Sequence, residues 1–129
     1  MRGRVLGLAA VVLVLGLCAP LAAFGALPKK GGVYKGLIKS TPFELGIVMS
    51  VAPTGKKMTF TYLCGTGRPP TTVFGVPIDA TGHFKWTKMT GSVVVWKMAG
   101  RFTSTTAAFI SLNSLACGGS KGSTTISLQ

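Results

Sequence analysis

At 129 residues, with 47% apolar residues and a formal charge of +12, the chain has room for one domain and is too hydrophobic for a disordered basic tail. Both properties are unevenly distributed. The first 25 residues are largely apolar, whereas the remainder holds twelve of the fourteen Lys and Arg residues against Glu44 and Asp79 alone.

The chain opens with Arg2 and Arg4, continues through an uncharged apolar run over 5–18, and meets Pro20 and then Ala23-Phe24-Gly25. A basic start, a greasy stretch and small residues at a cleavage point are the layout of a secretory signal. Residues 1–25 are therefore expected to form a signal helix and 26–129 a single exported domain, cut after Gly25 or Ala26. The competing expectation is an uncleaved anchor, because no charge occurs over 5–28 and that length can span a bilayer. Pro20 and Gly25 weigh against it. Leu15-Gly16-Leu17-Cys18 resembles a lipobox only superficially, since Leu17 is not small.

Removal of the signal takes Cys18 away and leaves Cys64 and Cys117, an even pair in an oxidising compartment. One intramolecular connectivity is then available, a structural Cys64–Cys117 disulfide. A metal or redox role is disfavoured, because no C-x-x-C occurs and His83 is the one imidazole.

Beyond residue 30 the apolar residues recur with period two, between turns rich in Gly, Pro and Thr. Strands are predicted over 33–38; over 43–51, with Phe43, Leu45, Ile47, Met49 and Val51 on one face; and over 58–64, with Met58, Phe60, Tyr62 and Cys64 aligned. They continue over 72–78, where Pro77 marks a sheet edge or strand end, then 83–89, 93–102, 107–113 and 124–128. Asp79-Ala80-Thr81-Gly82 has the residues of a type I turn. No segment here has helical spacing. The fold expected is all-β, an antiparallel sandwich or small barrel of eight or nine strands.

Several of these segments carry short motifs: Val33-Tyr34-Lys35-Gly36, Tyr62-Leu63-Cys64, Asp79-Ala80-Thr81-Gly82-His83-Phe84, the run from Gly100 to Ala107, and Cys117. Together they resemble a group of secreted actinobacterial β-rich domains. The chain departs from that pattern at Ala108-Phe109, where a glycine is expected, and in its closing strand, Thr125-Ile126-Ser127-Leu128. The resemblance implies export and a two-cysteine β-sandwich, and implies no activity.

Chemistry-bearing residues are few. Glu44 and Asp79 lie on different predicted elements, which leaves a paired-carboxylate mechanism unsupported. Asp79 could orient His83 across one turn, but no nucleophile elbow, phosphate loop or metal cluster accompanies them. No catalytic residue, metal or cofactor is expected, and a non-enzymatic domain is.

Charge and aromatic residues coincide in one place, the hairpin through Thr90-Gly91. Its simplest register sets Trp86 opposite Trp96 and Phe84 opposite Met98 on one face, with Lys85 opposite Lys97 and Thr87 opposite Val95 on the other. Directly opposed like charges cost stability, so Lys85 and Lys97 invite an anionic partner or mark a different register. Trp86 and Trp96 are either core residues or a stacking platform for a sugar or base. The other cations, such as Lys29, Lys30, Lys56, Lys57, Arg101 and Lys121, look dispersed over loops and strand ends.

An exported chain of this charge is attracted to anionic surfaces, or is merely kept soluble by its charge. The expected partner is an anionic cell-envelope polymer or membrane surface. Nucleic acid is not expected, given the location and the absence of RNA-binding fingerprints. The alternative is a secreted carbohydrate- or ligand-binding module that uses the aromatic hairpin face.

Overall fold

In the computed structural model, residues 25–129 are described; the expected signal over 1–25, apart from Gly25, lies outside the described residues, and Cys18 with it. Eight strands follow in chain order: β1 Val33–Ile38, β2 Leu45–Val51, β3 Lys57–Cys64, β4 Thr71–Pro77, β5 His83–Thr90, β6 Val93–Ser104, β7 Ala107–Ser114 and β8 Ser120–Leu128. The fold is all-β. A three-residue 3-10 turn, Leu115–Cys117, is the sole helical element among the described residues.

All the strands join one antiparallel sheet in the order β4-β3-β2-β1-β8-β7-β6-β5. Within β1 to β4 and within β5 to β8 each strand pairs with its neighbours in sequence, as short turns between antiparallel strands allow; β4 and β5 do not pair, and β1 pairs with β8 instead. That pairing curls two four-stranded meanders into a nearly closed up-and-down barrel, whose seam lies between β4 and β5. Pro77 ends edge strand β4, where a missing N–H costs no ladder bond.

Period-two alternation explains the wall. On β2, Leu45, Ile47, Met49 and Val51 point inward and are buried; β3 contributes Met58, Phe60 and Tyr62, and β6 Trp96, Met98 and Phe102. Aromatic rings fill the centre, with Tyr62 and Trp96 edge to face at 5.4 Å and Tyr34 against Phe102 at 5.2 Å. The Tyr34 hydroxyl accepts a hydrogen bond from Lys29 N–H at 2.9 Å and donates to Thr105 O at 2.5 Å. It thereby joins the segment before β1 to the β6–β7 turn.

Closure brings the backbones of β1 and β8 close to facing side chains. An ideal Cβ on Gly122 of β8 would stand 2.6 Å from Ile38 Cγ2, and one on Gly36 of β1 would collide with Ile126 Cγ2. The two glycines thus accept the two isoleucines reciprocally. At one end of the barrel, Cys64 at the end of β3 is bonded to Cys117 before β8, with Cα atoms 5.4 Å apart.

Two predicted strand starts differ by two residues or more. Phe43 lies before β2 and donates its N–H to Ser120 Oγ at 3.0 Å, because the Thr41-Pro42 pair bends the chain there. Strand β8 begins at Ser120 rather than 124 and pairs with β7 along its full length, from Ser114↔Ser120 to Ala107↔Ser127.

Two outcomes follow from this packing. Gly122→Val should cost about 1–3 kcal/mol as an overpacked site, seen as a lower urea midpoint with unchanged slope. Reducing Cys64–Cys117, which are 53 residues apart, should lower stability by roughly 4 kcal/mol on chain-entropy grounds, measured by denaturation with and without reductant.

Candidate functional site

The β5–β6 hairpin has a different register from the simplest one. Its turn is at Gly91-Ser92, with Thr90 opposite Val93, and a bulge between Lys88 and Met89 shifts the ladder again. Trp86 therefore faces Met98, Lys85 faces Ala99, and Thr87 faces Lys97. Side chains keep their faces and change their partners, because the net slip is two residues. The like-charge opposition of Lys85 and Lys97 is relieved. The aromatic platform is not assembled: Trp96 is a core residue, 2% exposed and packed on Phe60 and Tyr62, while Trp86 is half-buried at the edge of the same core.

Lys85 and Lys97 both point outward, and the registers of β5 to β8 place them within a larger pattern. Across the outer face run three rows. The middle row is Lys85, Ala99, Ser111 and Ser123; one flanking row is Thr87, Lys97, Asn113 and Lys121; the other is His83, Arg101, Phe109 and Thr125. Small side chains thus form a floor, with Ser111 and Ser123 hydroxyls 2.6 Å apart, between ridges of longer ones. Two shallow concavities on this face share Lys85, Ala99 and Ser111 and so form one continuous trough.

Its dimensions follow from sheet geometry. Four strands at about 4.8 Å spacing give a floor some 14 Å long, and the flanking rows stand about 13 Å apart at their Cα atoms. Lys85, Lys97, Arg101 and Lys121 are all exposed. Arg101 lies over the Phe109 ring at 5.4 Å, which holds its guanidinium beside the floor. No carboxylate belongs to the three rows, and none of the four cations forms an ion pair with a described carboxylate.

Asp79 stands at the Arg101 end of the trough, occupied by its own turn. Its Oδ1 accepts from Thr81 N–H at 2.9 Å, Thr81 Oγ1 at 2.7 Å and His83 N–H at 2.9 Å. The His83 backbone N–H, then the Thr81 hydroxyl, hold this carboxyl below its ordinary range. His83 Nδ1 is 2.8 Å from Thr81 Oγ1 but 3.9 Å from Asp79 Oδ1, so threonine separates the acid from the imidazole. Among the described residues, no group of three or more His, Cys, Asp or Glu could hold a metal ion, and no helix is long and apolar enough to cross a membrane.

Arg101 and Lys121 complete the trough without having been singled out in the sequence. The signal for Arg101 was present, because Lys97, Ala99 and Arg101 alternate on one strand face. Lys121 lies in a Gly- and Ser-rich stretch with no apolar alternation to mark a strand. No family model, curated protein or solved structure matches this chain.

The two tryptophans should respond differently to truncation. Trp96→Ala is expected to cost about 3–5 kcal/mol in urea unfolding, the range for a large buried aromatic, and Trp86→Ala clearly less. The Asp79 interactions favour the charged carboxylate, so their contribution is present above the unfolded-state pKa and lost as pH falls through the lower folded value. An NMR titration of the Asp79 carboxyl should give a midpoint below the ordinary range, and Thr81→Ala should raise it.

Proposed function

We propose that this protein is an exported, non-enzymatic domain that holds an anionic cell-envelope polymer in the trough across β5 to β8. The observation that carries the reading is the set of four exposed cations, Lys85, Lys97, Arg101 and Lys121, around a floor of small side chains without a carboxylate among them. An extended chain of phosphate or carboxylate groups can lie on Ala99, Ser111 and Ser123 while ammonium and guanidinium groups reach it from both ridges. The hydroxyls of Ser111 and Ser123 add donors at the floor.

The basic N-terminal start and apolar run support export, as do the resemblance to secreted β-domains and the paired cysteines. The titratable groups nearest the trough support a binding role over catalysis. Asp79 is committed to its turn, and His83 is separated from it by Thr81. An aromatic sugar platform has less support, since Trp96 faces the core.

The test is co-sedimentation of the exported protein with purified phosphate-bearing wall polymer and with an uncharged polysaccharide. Binding to the charged polymer should fall steeply as salt rises, and Lys97→Gln and Lys121→Gln should each weaken it by roughly fivefold, as for a cation near an anionic surface. Equal binding to the uncharged polysaccharide, insensitive to salt and to these substitutions, would overturn the reading.

A further inference from the structure

The trough leaves unused a second basic surface, at the end of the barrel where the described chain begins. Residues 25–32 form a strap across this base. Ala26 N–H donates to Phe102 O at 2.8 Å on one side, and Gly31 N–H donates to Ala52 O at 3.3 Å on the other. Pro28 and Gly32 are buried within it, and Lys29 N–H is anchored on the Tyr34 hydroxyl. The strap lies against the turn between β2 and β3, where the Lys30 stem passes beside Gly55; an ideal Cβ there would be 3.3 Å from Lys30 Cγ.

This seating gathers Lys29 and Lys30 with Lys56 and Lys57, four exposed lysines from two distant parts of the chain. Beside them on the strap Leu27 is 58% exposed, although its neighbour Pro28 is buried. A protruding leucine beside a cluster of lysines is the chemistry of an interfacial contact, with an apolar side chain entering the acyl boundary and ammonium groups on the headgroup phosphates. Asp79 carries the one side-chain carboxylate in the turns of this end, and it is engaged by Thr81 and His83.

From these features we infer that the base of the barrel docks on a bilayer bearing anionic phospholipid headgroups, with Leu27 inserted and the four lysines on phosphates. The inference goes beyond the trough and shares with that reading only the premise of export. The trough row crosses the strands, so a polymer held there passes around the flank of the docked barrel and leaves the base free.

The experiment is sedimentation of the exported protein with vesicles of phosphatidylcholine alone and with 30% phosphatidylglycerol, chosen as a representative anionic mixture. The protein should bind the anionic vesicles strongly and the neutral ones weakly. Joint substitution of Lys29, Lys30, Lys56 and Lys57 by Gln should reduce that preference by at least about tenfold, since each lysine near such a surface is worth about fivefold. Leu27→Ser should weaken binding further without changing the preference. The trough variants Lys97→Gln and Lys121→Gln should leave vesicle binding within about twofold, because their cations lie away from the base. Equal binding to both vesicle types would overturn the inference, as would an unaffected quadruple variant or an equal loss in the trough variants. Polymer binding is read separately, so either reading can fail without the other. Circular dichroism and an intact Cys64–Cys117 bond establish that each variant is folded.

Discussion

The pairing of β1 with β8 is the interaction on which the rest of the molecule depends. Every other ladder joins strands adjacent in sequence and closes a short loop. Tyr34↔Leu128 and Lys35↔Ser127 close almost the whole domain, at the greatest cost in chain entropy. Gln129 N–H extends the contact to Val33 O at 2.9 Å. Side chains supply what this short ladder lacks. Ile126 sits over Gly36, Ile38 over Gly122, and the Cys64–Cys117 bond ties the first meander to the second. Without the closure there are two open four-stranded sheets, each with its apolar face in water.

Closure also divides the side chains into two populations with separate tasks. Inward positions take most of the aromatic and aliphatic residues, and with them Trp96, whose Nε1 is buried with no hydrogen-bond partner among the described residues. An unpaired indole N–H costs about 1–3 kcal/mol, so burial of the large ring must outweigh it. Outward positions are free of packing demands and carry nearly all of the charge. On β5 to β8 this freedom yields an ordered trough, and at the base it yields a lysine cluster beside Leu27. Eight of the twelve cations beyond residue 25 thus fall on two surfaces, one facing sideways and one facing down the strands.

The all-β class, the antiparallel arrangement and the cysteine pair were legible in the sequence, because alternation and turn residues are local properties. Strand β2 shows this most clearly, with four alternate apolar residues, Leu45 to Val51, all buried. Register was not legible. The hairpin turn moved by one residue and a bulge moved the ladder by another, so Lys85 and Lys97 exchanged each other for Ala99 and Thr87 as partners. The first half of β8 was hidden because Ser120 to Ser123 has no apolar member. Its strand character comes from β7 beside it, and Lys121 was hidden with it. The base cluster joins Lys29 and Lys30 to Lys56 and Lys57 through the strap, a contact that no local pattern encodes.

The central claim is that the outer face of β5 to β8 is where an anionic polymer binds. Mapping backbone amide shifts while phosphate-bearing wall polymer is titrated into labelled protein tests it most directly. The account predicts that the changes concentrate at Lys85, Lys97, Ala99, Arg101, Ser111, Lys121 and Ser123, and that β1 to β3 stay unperturbed. Shifts centred on Trp86 and the Met89–Val94 hairpin tip, or spread evenly over every lysine, would contradict it.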